Sequence, residues 1–151
     1  MNTFMPMSDD NIKIRLAFVG NPVINTAAPA RIEGDVSSLK IRYDDQVILD
    51  RENSQIKVIV TMTYLLGNTI LFSGSLTIAF DVVDLKSYIT TQDGEDKFRI
   101  ESNFLPMLNS IAFSTARGYF ARELADTALA PYPFPIIASD SIEKRTSYQL
   151  I

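Results

Sequence analysis

The side chains able to do acid–base or nucleophilic chemistry in this chain are carboxylates and lysines, because histidine and cysteine are both absent. That double absence excludes Ser-His and Cys-His nucleophile activation, disulfides, zinc fingers, iron–sulfur ligation and His-ligated metals. Two close carboxylate pairs remain, Asp44-Asp45 and Asp50/Glu52, together with an acidic run, Asp93-Gly94-Glu95-Asp96. Paired carboxylates work as acid and base only when burial or a charged partner drives their pKa values apart. These pairs fall at strand ends and turns, which favours solvated charge over catalysis. The acidic run lacks the ligand spacing of a calcium loop and reads as a solvated turn. No phosphate-cradling loop, dinucleotide glycine fingerprint or helical metal-ligand pair occurs. The expectation is a protein that is not an enzyme and needs neither cofactor nor metal.

The composition bounds the remaining classes. At 151 residues, 46% of them apolar, the chain is expected to form one domain, residues 11–151, behind a flexible arm, residues 1–10. A net charge of −4 opposes a chain-wide attraction to nucleic acid or anionic membrane. The arm has neither the basic nor the apolar region of a signal peptide, and no run of about 18 apolar residues predicts a membrane span. A cytoplasmic address is expected.

The elements follow from periodicity. Ile12, Ile14, Leu16 and Phe18 alternate with polar or small residues up to Val19, which predicts a half-buried strand. The stretch from Gly20 to Asp35 breaks the pattern at Gly20-Asn21-Pro22 and Ala28-Pro29. It reads either as a plain connection whose Val23, Ile24 and Ile32 tuck into the core, or as a functional loop. A second strand covers Leu39, Ile41 and Tyr43, and Val47-Ile48-Leu49 could extend it. A third covers Ile56 to Tyr64. Gly67-Asn68 signals a hairpin into a long fourth strand, Ile70 to Val82. Gly74, in mid-strand, predicts a bulge or a close approach by another segment.

These strands predict an α+β fold: a four-stranded antiparallel sheet whose apolar face needs a cover. The cover is Asn103 to Ile137, the one long segment with helical periodicity. Asn103 can cap the helix, Pro106 fits its first turn, and Pro131 should stop it. Leu105, Leu108, Ala112, Phe113, Ala116, Tyr119, Phe120 and Leu124 form a wide apolar face for the sheet. Ser110, Ser114, Gly118, Ala121 and Ala125 form a second face of small residues. Their spacing would let another helix come close, so they are the candidate oligomer interface. Pro131 to Ile137 is too apolar for a free loop and too rich in proline for regular structure. A short terminal helix is expected within Ser139 to Leu150. The polar face of the sheet lacks aromatic residues, which speaks against base stacking.

Ile111-Ala112-Phe113-Ser114-Thr115-Ala116-Arg117-Gly118, followed by Leu129-Ala130-Pro131 through Pro135-Ile136-Ile137, resembles the helix and post-helix segment of the SecB-like export chaperone family. The loop with Asn21-Pro22 and Ala28-Pro29 looks like that family's crossover loop. The resemblance implies a non-enzymatic holdase that binds unfolded or partly folded polypeptides in apolar grooves between helix and crossover loop. It implies self-association as a dimer or dimer of dimers, with helices at the tetramer interface. On this reading Val23, Ile24, Ile32, Tyr132, Phe134 and Ile136 would line the groove. The chain departs from the export members in two ways. Its polar sheet face carries Lys13, Arg15, Lys40, Arg42 and Lys57, and residues 143–151 hold no Cys, His or acidic run. Both speak against docking to the translocation ATPase and leave relatives that serve other clients, antitoxins among them. The alternative is a structural or adaptor protein of the same fold with one dedicated partner.

Overall fold

A computed structural model of the chain describes residues 5–6, 13–91, 98–100, 104–134 and 146–151. The strands are β1 (Met5–Pro6), β2 (Lys13–Thr26), β3 (Leu39–Asp50), β4 (Gln55–Leu66), β5 (Thr69–Val82), β6 (Ile89–Thr91) and β7 (Phe98–Ile100). The helix α1 (Leu105–Glu123) follows, and then β8 (Thr146–Leu150). The main sheet has the order β1-β2-β5-β4-β3-β8, and β6 pairs with β7 separately.

The four long strands expected from periodicity are present and antiparallel, but the sheet is larger than four strands. β8 joins it parallel to β3, with Val47 opposite Tyr148 and Leu49 opposite Leu150. Residues 146–150 are therefore a strand, where a terminal helix was expected; β3 offered an open ladder that a five-residue extended segment could complete. The two-residue β1 also pairs, Met5 with Ile14 and Pro6 with Lys13, within the segment expected to be a loose arm.

Each hairpin has a local cause. β3 and β4 pair without interruption from Leu39–Leu66 to Asp50–Gln55. Their turn is held by the Asp50 carboxylate, which accepts bonds from the Asn53 backbone (3.2 Å) and side-chain amide (2.7 Å). The β4–β5 turn has a positive φ at Gly67 but not at Asn68, the pattern of a type II′ turn.

The helix lies on β3, β4 and β5. Phe120 meets Phe72 edge-on at 5.7 Å, and Phe113 meets Tyr43 at 5.2 Å. Leu108, Ala112 and Ala116 are fully buried beneath it. The predicted apolar face is thus the one that packs, except that Tyr119 is only half-buried and Asn109 is buried with it. The helix is shorter than expected. After Leu124 the ladder tightens, with the Ala125 amide donating to Arg122 at 3.3 Å and the Thr127 amide to Leu124 at 3.0 Å, and the Ala128 amide then leaves it for Pro29 at 3.0 Å. The chain then turns back over the sheet, and Asn103, the expected cap, lies outside the described residues.

Candidate functional site

Strand β2 is where the structure departs most from simple periodicity. It runs through the expected loop to Thr26 and absorbs the irregular residues as bulges. Leu16 faces Phe80, but Phe18 faces Ala79, so the extra residue Ala17 turns Phe18 to the opposite face from Ile14 and Leu16. Val19, opposite Ile78, takes up the helix-side face. A second bulge spans Asn21 and Pro22, with Asn21 at φ 50°, and a third lies between Ile24 and Thr26. Pro22 is tolerated because β2 is an edge strand.

The consequence is an exposed apolar strand. Helix α1 and the segment after it cover β3, β4 and β5 but stop short of most of β2. Leu16 (52% exposed), Val19 (41%) and Ile24 (40%) lie on the helix-side face, and Phe18 (39%) and Val23 (49%) on the other. No described strand pairs with the outer edge of β2 beyond Ile14. A cleft of about 450 Å³ sits at the start of this row, lined by Arg15, Leu16, Ala17 and Asp81. There the Arg15 guanidinium binds the Asp81 carboxylate at 3.0 Å, and the Gln55 amide donates to its other oxygen at 2.9 Å. The Gln55 hydrogen bond and the Arg15 contact together hold the Asp81 carboxyl below its ordinary pKa.

The six residues expected to line one groove are not gathered into one. Val23 and Ile24 lie on β2, on opposite faces of it, rather than in a crossover loop. The apolar end of Ile24 stands close to Gly74 and Phe120. Ile32 and Tyr132 are half-buried and pack against the core. Phe134 is inside it, between Tyr43 (6.5 Å) and Tyr64 (6.0 Å), because the post-helix segment folds back over β3 and β4. The Tyr64 hydroxyl anchors that segment by donating to the Tyr132 carbonyl at 2.6 Å. Ile136 lies outside the described residues. Leu16, Phe18 and Val19 are the exposed residues that sequence reasoning missed. The available signal was large apolar residues at both parities, which a strand with one buried face does not need.

Along the small-residue face of the helix, Ser110 is half-buried and Ser114, Gly118 and Ala121 are exposed. Nothing lies within 4 Å of where a Gly118 side chain would begin. Ala125 is exposed just past the end of the helix. Of the two carboxylate pairs, Asp45 is buried within β3, whereas Asp44 is exposed and Asp50 lies at a turn. Asp44 stands 3.8 Å from Arg42 in solvent, and Asp50, lowered in pKa chiefly by the Asn53 side chain, caps a turn. Among the described residues no group of three or more Asp or Glu side chains could hold a metal ion, and no helix is long and apolar enough to cross a membrane.

No protein-family model matches this chain, and no curated protein matches it. Among solved structures it is similar to the Rv1957 SecB-like chaperone of Mycobacterium tuberculosis, determined in complex with a ChAD peptide from the Rv1956 HigA1 antitoxin. The TM-score is 0.42 and the identity 16%, over 83% of this chain and 86% of that one.

Proposed function

We propose that this protein is a non-enzymatic, SecB-like holdase that binds unfolded or partly folded polypeptides along β2. The observation that carries this reading is five large apolar side chains exposed along one strand, on both of its faces, beside an edge that no described strand occupies beyond Ile14. Exposed apolar side chains beside a strand edge that no described strand occupies would hold an extended segment through buried area and main-chain hydrogen bonds, with little demand on its sequence. Unfolded clients fit this surface, and an antitoxin segment is one candidate of that class. Self-association is part of the proposal. The small-residue face of α1 would let a second helix approach, giving a dimer or a dimer of dimers.

The test is suppression of client aggregation. Purified protein at stoichiometric ratio should slow aggregation of a chemically denatured client without ATP. A double variant, Leu16→Ser with Val23→Ser, should lose most of that effect while keeping its folded circular dichroism. No suppression by the unmodified protein at several-fold excess would overturn the reading. Recovery of a single stoichiometric partner from lysate, with no suppression, would favour a dedicated adaptor.

A further inference from the structure

The face of the sheet turned away from the helix carries charge of the opposite sign to the chain. The chain as a whole is −4. Yet the described strand residues on this face include five cations, Lys13 and Arg15 on β2, Lys57 on β4, and Lys40 and Arg42 on β3, against three carboxylates, Asp44, Asp50 and Asp81. Each carboxylate is already engaged. Asp81 receives Arg15 at 3.0 Å and Gln55 at 2.9 Å, both oxygens of Asp50 are taken by Asn53, and Asp44 stands 3.8 Å from Arg42. The cations stay accessible: Lys13, Arg15, Lys40 and Arg42 are all exposed. The floor between them is low. It is built of Thr61, Thr63, Ser73, Ser75, Thr77 and Ala79, small side chains that are half-buried or buried. Phe18 and Val23 stand on the β2 side of this floor, 39% and 49% exposed.

We propose that this face docks an acidic polypeptide segment, whose carboxylates meet Lys40 and Arg42 at one corner and Lys13 and Arg15 at the other, while its apolar residues meet Phe18 and Val23. By register, Arg42 lies opposite Thr63 and Arg15 opposite Asp81, which itself faces Gln55. At about 3.3 Å per residue along the strands and about 4.8 Å between them, the two corners are roughly 30 Å apart, the length of about nine extended residues. Charge complementarity selects the occupant. Opposite charges paired in solvent add little affinity each, but they speed encounter and exclude partners of the wrong sign. A second copy of this chain would bring the same cations, so two such faces repel. A nucleic acid would meet a chain of net −4 and, among the described strand residues on this face, one aromatic side chain, Phe18, which is no stacking platform. The proposal goes beyond the holding of unfolded clients along β2, because Lys40 and Arg42 lie three strands away from the apolar row.

The experiment uses the full chain and two fluorescent peptides of about ten residues, one alternating Glu with Leu and one alternating Lys with Leu, read by polarisation. The Glu peptide should bind roughly tenfold more tightly than the Lys peptide and lose that advantage as salt is raised. Lys40→Glu with Arg42→Glu should remove the preference without changing suppression of client aggregation. Arg117→Glu with Arg122→Glu alters the net charge equally from α1, on the other side of the sheet, and should keep the preference. Equal binding of the two peptides by the unmodified protein, or an equal loss in both variants, would overturn the proposal. So would tighter binding of a single-stranded oligonucleotide than of the Glu peptide. A Glu preference that only the Lys40 and Arg42 variant removes supports it even where client suppression fails, since that failure bears on β2 alone.

Discussion

Gly74 has no room for a side chain. A Cβ there would stand 2.8 Å from the Phe120 ring, 3.0 Å from Phe72 and 3.1 Å from Ile24. Of the two readings open to a mid-strand glycine, close approach is the one realised, and it seats the helix on the sheet. Gly74→Val should destabilise the fold by about 1–3 kcal/mol through overpacking, measured as a lowered urea midpoint. Tyr64 makes a second residue-scale prediction. Burial pushes its phenol up to about 12, against an ordinary value near 10. A raised folded pKa means its contribution is fully present below the unfolded value and is lost as pH rises from 10 towards 12. Melting temperature should therefore fall across that window, and Tyr64→Phe should flatten the fall at a cost of about 1 kcal/mol at neutral pH for the lost bond to Tyr132. Asp81 works in the opposite direction. Its depressed pKa favours the fold above the ordinary carboxylate range and is lost on acidification below about pH 4, so Asp81→Asn should blunt the acid transition.

At the scale of elements, α1 and β2 have opposite fates. The helix buries its apolar face against β3, β4 and β5, with Phe120 wedged over Gly74. Phe120→Ala should cost about 3–5 kcal/mol, read by chemical denaturation. Strand β2 leaves Phe18 and Val23 39% and 49% exposed, so replacing either with Ser should change stability by less than about 1 kcal/mol, and on the proposed function it should weaken client holding. That contrast separates a packing role from a binding role on one sheet. The bulges and Pro22 also limit how β2 can be used, since they interrupt the regular ladder that runaway edge-to-edge pairing would require.

For the whole molecule the prediction concerns mass. Light scattering should give a species heavier than one chain if the small-residue face of α1 is an interface, and Gly118→Trp should lighten it. A mass that Gly118→Trp leaves unchanged would place any interface elsewhere. The exposed apolar row on β2 and the β3–β8 pair lie at opposite sides of the same sheet, with β5 and β4 between them.

What the sequence determined by itself were the features set by local periodicity and local backbone chemistry. The four long strands, the Gly67-Asn68 hairpin and the sheet-facing stripe of the helix depend on alternation at two or near 3.6 residues and on which residue tolerates positive φ, all written within a few neighbours. Tertiary structure alone decided three things. Bulges at Ala17 and Asn21-Pro22 carried β2 through an apparent loop and moved Phe18 to the other face, which a reading of period two cannot foresee. The fold-back of the post-helix segment sent Phe134 into the core, because only the assembled sheet offers the space between Tyr43 and Tyr64. The pairing of β8 with β3 joins residues about a hundred positions apart, 46 and 149 among them, and nothing local to either strand specifies such a contact. The candidate site follows from the same division. Its apolar residues were visible in the chain, but their exposure depended on where the helix ended its cover.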